Sequence, residues 1–164
     1  MIRLRKQQMA PQLAELSLPV VERLRLHLVH ASVVLAYYPL SDEVDIRQLI
    51  NDLVASGKTV LLPKVVNETT LELRRYTSDS DLCEGAFHIM EPVGERYVDY
   101  QRIDVALIPG MAFDAQGHRL GRGRGFYDRL LSTSHFHTIG VCFDFQKVSE
   151  VPYDDYDCPV DMVA

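Results

Sequence analysis

The chain has 164 residues, 47% of them hydrophobic and 24% charged, with a net charge of −6. That length supports a core that needs no covalent staples, and residues 1–164 are read as a single domain. The acid excess argues against a general nucleic-acid binder, so a local basic loop within it points to a small anionic ligand. Cys83, Cys142 and Cys158 show no C-x-x-C spacing, and their odd number does not suggest a disulfide framework. No apolar run approaches the roughly 20 residues that span a bilayer. No signal-type stretch follows Met1-Ile2-Arg3-Leu4-Arg5-Lys6, so a cytoplasmic protein is expected.

Residues 1–16 read as a short amphipathic helix carrying Arg3, Arg5 and Lys6. Ser17 with Pro19 reads as the start of a second helix, to about His30, since Ser caps and Pro is tolerated in a first turn. Ala31 to Tyr37 is an apolar run ended by Pro39 and predicts a buried strand. Asp45 is expected to cap a helix whose apolar stripe is Ile46, Leu49, Ile50 and Leu53, with Gly57 at its C-terminal end. Thr59 to Leu62 predicts a short strand closed by Pro63, completing a parallel βαβ unit.

Residues 64–102 read as looser chain covering one edge. Val65-Val66 and Leu71 to Tyr76 could form a hairpin over Asn67-Glu68-Thr69. The parallel pattern resumes with a buried strand in Ile103 to Met111, and Asp114-Ala115-Gln116-Gly117 is a turn. A helix follows from about Gly125 to Ser132, then a strand from Thr138 to Phe143. Pro152 and Pro159 mark an irregular tail. The expected fold class is α/β: three layers, a mainly parallel sheet with helices on both faces, Rossmann-like.

Arg119-Leu120-Gly121-Arg122-Gly123-Arg124-Gly125-Phe126-Tyr127-Asp128 lies between a strand and a helix start. Glycines let backbone N–H groups approach an anion, a helix N-terminus adds partial positive charge, and the arginines add more. The loop is neither G-x-G-x-x-G nor a P-loop. Asp128 can hold Mg²⁺ against phosphate oxygens or be a first-turn carboxylate. Tyr127 can stack on a ring, bond a phosphate or sit in the core. Glu43 follows the first strand and either faces the crevice or is solvated. The tail Pro152-Tyr153-Asp154-Asp155-Tyr156-Asp157-Cys158-Pro159-Val160-Asp161, with four aspartates, is a solvated acidic end unless it folds back on Asp128, where it could complete a metal site. No zinc-type H-E-x-x-H, G-x-S-x-G elbow or Cys-His signature is present.

Pro109-Gly110-Met111-Ala112-Phe113-Asp114 followed by Gly117 to Asp128 closely resembles the 5-formyltetrahydrofolate cyclo-ligase family, whose pattern runs P-G-x-A-F-D, a short turn, then R-L-G-x-G-x-G-Y-Y-D-R. Phe126 stands in place of the first tyrosine. Glu43-Val44-Asp45, Gly57-Lys58 with Leu61-Leu62-Pro63-Lys64, Gly85 to Pro92, Phe143 to Gln146 and Val151-Pro152 resemble the family's other motifs. The resemblance implies an enzyme that uses Mg-ATP to convert 5-formyltetrahydrofolate to 5,10-methenyltetrahydrofolate through an iminium phosphate, releasing ADP and phosphate.

It also implies roles for residues. Arg119, Leu120, Gly121, Arg122, Gly123, Arg124, Gly125, Phe126 and Tyr127 would wrap the ATP phosphates, joined by Arg5 and by Arg3. Arg122, Arg124 and Tyr127 would act on the reacting groups. Tyr38, Glu43, Phe87, Arg122 and Phe126 would bind the folate, and Asp128 with Asp155 (or Asp154) would hold Mg²⁺. No nucleic acid, membrane or obligatory protein partner is implied. The family's N-terminal lysine falls on Met1, so Arg3 or Lys6 is expected to substitute. That departure is the one feature favouring a non-catalytic folate- or nucleotide-binding relative. A sugar-phosphate isomerase on a similar fold would need an acid/base pair that the sequence does not offer.

Overall fold

The structure, a computed structural model, describes residues 4–5, 7, 9–68, 70–85, 88–121, 125–132, 135–153 and 157–164. The N-terminal reading places the helix break too late. A turn at Met9 and a 3₁₀ turn at Ala10–Gln12 come first, and one α-helix, α1 (Leu13–His27), then runs through both Ser17 and Pro19. The apolar stripe stays in phase across Ser17: Leu13, Ser17, Val20, Val21 and Leu24 are all buried. Ser17 is therefore no cap. Its hydroxyl donates to Leu13 O at 2.8 Å and accepts from Asp45 N at 2.9 Å, tying α1 to the loop before the next helix. Pro19 removes one helical N–H, a loss offset by the packing of this face.

β1 (Val33–Leu35) is followed by α2 (Arg47–Ala55) and β2 (Thr59–Val65). Asp45 is not the N-cap, which is Ile46. It still serves the helix start, because its Oδ1 accepts from Arg47 N at 3.1 Å. The Arg47 side chain also donates to both Asp45 oxygens and holds that carboxyl below its usual range. β2 does not stop at Pro63. Its pairing with β1 ends at Leu35–Leu61, so the missing proline N–H lies past that ladder, while the antiparallel pairing with β3 (Leu71–Tyr76) continues to Val65–Leu71. The expected hairpin is present.

A small antiparallel pair, β4 (Leu82–Glu84) and β5 (Met90–Pro92), and an edge strand, β6 (Arg96–Tyr97), fill the looser segment. The remaining elements are β7 (Val105–Pro109), the hairpin β8 (Ala112–Phe113) and β9 (Arg119–Leu120), α3 (Phe126–Ser132), β10 (His137–Val141) and β11 (Met162–Val163). β11 gives the tail an edge strand that two residues were too few to announce.

Among the described residues the main sheet has seven strands in the order β11-β10-β7-β1-β2-β3-β6. β11 to β2 are mutually parallel, and β3 and β6 are antiparallel. α1 and α2 pack on one face against Val34, Val60 and Leu107, and α3 covers the other with Leu130 and Leu131 against Ala106 and Ile108. This is the expected α/β fold class. The order reverses between β1 and β7: from β1 the chain proceeds outward to β2, then returns to β7 on the other side. In such sheets ligands bind where the strand exits diverge at that point.

Candidate functional site

The β1 exit carries Tyr37, Tyr38 and Glu43. The β7 exit carries Pro109 and Gly110, then the β8–β9 hairpin and the glycine-rich loop. These two exits flank the reversal in strand order, and of the residues read separately from sequence, Glu43, Arg119, Tyr127 and Asp128 lie near one another there.

Arg119 is the centre of the β7 side. Its side chain is only 8% exposed, its Nη1 donates to Pro109 O at 3.3 Å, and its guanidinium lies 5.2 Å over the Tyr127 ring. Its nearest described carboxylate, Asp128, is 3.9 Å from Nη2, and its Nε is buried without a partner. Among the described residues this buried cation is neutralised only at that distance, which leaves positive potential at the β7 exit. Two glycines make room for it. A Cβ on Gly110 would come within 2.8 Å of Arg119 Cγ, and one on Gly121 within 2.6 Å of Nη1. Leu120 is partly exposed on β9. Gly125 immediately precedes α3, and Phe126 opens the helix under the guanidinium of Arg129.

Tyr127 is half-buried, with its phenol pKa raised by burial first and then by the Glu43 carboxylate, against an opposing effect from Arg119. It therefore stays a hydrogen-bond donor at any working pH. Its dependence on both Glu43 and Arg119 shows that the two strand exits meet electrostatically. One face of the ring is occupied by Arg119. Glu43 is held in its loop by Leu40 N, which donates to Oε1 at 2.8 Å. Tyr37 is buried and donates to Val44 O at 3.1 Å, fixing the same loop, while Tyr38 packs on the edge of the core.

Among its described residues, the tail reaches Asp128 at Cys158. Cys158 N donates to Asp128 Oδ1 at 3.4 Å, and the Cys158 thiol is pushed up by burial, then by the charges of Asp128 and Asp157. No group of three metal-ligating side chains forms among the described residues. A single carboxylate at this place still suits Mg²⁺, which commonly takes one or two carboxylates and completes its shell with phosphate oxygens and water. Arg3, Phe87, Arg122, Gly123, Arg124, Asp154 and Asp155, and with them Met1 and Lys6, lie outside the described residues. Arg5 is exposed, and no described contact carries its side chain to the crevice.

Two fastening groups were not singled out from the sequence for these roles. Asp114, 3% exposed, accepts four hydrogen bonds of 3.0 Å, from Gln116 N and His118 N at Oδ1 and from Val151 N and His118 Nδ1 at Oδ2. His118 in turn stacks on Tyr153, with centroids 3.7 Å apart. The Arg119 hairpin is thereby locked to the start of the tail. Gln146 staples the β7 and β10 exits, donating to Gly110 O and Met111 O and accepting from Phe143 N. A polar residue that becomes buried leaves no periodic trace, and both sat inside stretches read as turn or motif.

The whole chain, residues 1–164, matches the sequence profile of the 5-formyltetrahydrofolate cyclo-ligase family. The 5-formyltetrahydrofolate cyclo-ligase of Escherichia coli K12 is 32% identical over 174 aligned positions, covering 100% of this chain and 96% of the relative. The solution structure of Aquifex aeolicus 5,10-methenyltetrahydrofolate synthetase superposes with a TM-score of 0.81 at 35% identity, covering 99% of this chain and 86% of that one. A 5,10-methenyltetrahydrofolate synthetase from Mycoplasma pneumoniae shares the fold, with a TM-score of 0.72 at 21% identity over 99% of this chain and 96% of its own. With its full length matched, this chain belongs to the 5-formyltetrahydrofolate cyclo-ligase family.

Proposed function

We propose that the protein is an ATP-dependent 5-formyltetrahydrofolate cyclo-ligase acting in the crevice between the β1 and β7 exits. The observation that carries this reading is the buried Arg119, held over the Tyr127 ring and ion-paired among the described residues only with Asp128 at 3.9 Å, with Glu43 at the neighbouring strand exit also acting on Tyr127. A cation placed there stabilises phosphate charge, and no nucleophilic side chain is needed.

In the proposed reaction the formyl oxygen attacks the γ-phosphorus of ATP and ADP leaves. The product is an iminium phosphate at N5. N10 then attacks that carbon and loses its proton, the carbon–oxygen bond breaks with phosphate as leaving group, and the N5–C–N10 ring closes. The protein's work is positioning and charge neutralisation. Arg119 and the loop residues Leu120 to Phe126 hold the polyphosphate, with Arg5 and Arg3 as further cations. Arg122 and Arg124 follow charge between the γ-phosphoryl group and the formyl oxygen, and Tyr127 donates from below. Glu43 receives the N–H edge of the pterin, with Tyr38, Phe87, Arg122 and Phe126 around it. Asp128, with Asp155 or Asp154, would hold Mg²⁺, which when bound neutralises phosphate charge.

Mixing the protein with 5-formyltetrahydrofolate, Mg²⁺ and ATP should produce the near-ultraviolet absorbance of the methenyl product, and omission of ATP should abolish it. Folate binding without ATP-dependent product would contradict the enzyme reading.

A further inference from the structure

Lys64 stands at the exit of β2, beside the strand that leads to Tyr38 and Glu43. β1 and β2 run in parallel register from Val33–Thr59 to Leu35–Leu61, and Ala36 N continues the ladder to Leu61 O at 2.8 Å. Carried three residues past the end of that ladder, the same register sets Tyr38 level with Lys64. Side chains alternate across a strand, and the residues two and four before each of them lie in the same core cluster: Val34 and Ala36 before Tyr38, Val60 and Leu62 before Lys64. Lys64 is thus a half-buried cation on the Tyr38 side of the sheet, at the same height.

Its cross-strand partner is Glu72, a pairing that ordinarily neutralises both charges. Here the Glu72 carboxylate is engaged elsewhere. It lies 2.8 Å from Arg74 Nη2 and 3.7 Å from Arg96 Nε, and is only 19% exposed. Lys64 enters no ion pair among the described residues, and Arg74 keeps a buried Nε without a partner. Two arginines therefore sit on the one carboxylate that faces Lys64 across the strands, in a chain whose net charge is −6. Such a patch attracts an anion other than the phosphates, which belong on the far side of β1.

We propose that Lys64 binds a carboxylate of the glutamyl tail of the folate substrate, with Arg74 and Arg96 supplying the surrounding positive field. The inference rests on the cyclo-ligase reading. With the reacting N5–N10 edge turned toward the β7 side and the pterin at Glu43, the aminobenzoyl-glutamate substituent on N10 has the β2 exit as the next stretch of crevice wall. It ends in two carboxylates. A lysine, a point charge on a flexible stem, suits a mobile carboxylate better than a rigid fork does.

The test compares 5-formyltetrahydrofolate with 5-formyltetrahydropteroate, which has the same reacting centre and no glutamate. In Lys64→Ala, KM for the folate should rise about tenfold, while kcat, KM for ATP and KM for the pteroate hold. Lys64→Arg should recover most of the loss, and high salt should shrink the difference. An unchanged KM for the folate, or an equal rise for both substrates, would overturn the proposal. If the unaltered protein turns over neither compound, the cyclo-ligase reading fails by itself. Equilibrium titration of the two compounds onto both proteins then still decides the Lys64 question, with the same tenfold selective loss expected.

Discussion

Arg119 shows how far a single side chain departs from the picture a sequence offers. In the sequence it is one of three arginines in a loop that reads as an anion site, with nothing to set it apart from the other two. In the fold it belongs to β9, its guanidinium is buried between Pro109 O, the Tyr127 ring and Asp128, and the arginine fork satisfies only part of its donors. Its charge thus acts on an anion bound at the β7 exit. Arg119→Met, which keeps the stem and removes the charge, should weaken ATP binding about tenfold or more while changing folate binding little, as calorimetric titration of each ligand would show.

Asp114 is the opposite case, a buried charge fully used. Burial is the largest influence on it and opposes ionisation, but the N–H groups of Val151 and His118 and the His118 ring together hold its pKa below the usual carboxylate value. A carboxyl depressed in the folded state contributes stability above its unfolded pKa, and that contribution is lost as pH falls through the folded value. The melting temperature of the unaltered protein should therefore fall steeply below about pH 4. Asp114→Asn should lower it at pH 7, by the equivalent of about 2 kcal/mol, and flatten the acid limb. Parallel acid limbs for the two proteins would contradict this account.

At the scale of elements, legibility followed periodicity. β1, α2, β2, β7, α3 and β10 were all readable because their apolar runs or stripes are each long enough to repeat. Boundaries went wrong where a local signal was stronger than its context. Ser17 and Pro19 spell a helix start, yet the stripe from Leu13 to Leu24 carries one helix through them, since burying that face outweighs a missing N–H. Pro63 spells a strand end, yet only its β1 side ends there. Ser17 then acquires a different job, joining α1 to the loop that presents Glu43. Ser17→Ala should cost about 1 kcal/mol of stability through the lost Asp45 N partner. It should also increase hydrogen exchange at Asp45 more than in the middle of α1, and uniform exchange changes would argue against that link.

For the whole molecule, the decisive feature is the reversal of strand order between β1 and β7, which no local pattern encodes. It results from where β2 and β7 pair, through contacts more than seventy residues apart in sequence for Val34–Val105. That pairing gathers Glu43, Arg119, Tyr127 and Asp128 into one crevice. The family match was legible in the loop because glycine, arginine and aspartate have few other reasons to alternate there. The latch of Asp114, His118 and Tyr153 and the Gln146 staple were not, since their partners are backbone groups of distant segments. In the proposed reaction this crevice passes a γ-phosphoryl group to the formyl oxygen. The most direct test of that transfer uses 5-formyltetrahydrofolate labelled with ¹⁸O in the formyl group. The account predicts that the label appears in inorganic phosphate, one atom for each methenyl product formed. Label released into water would contradict it.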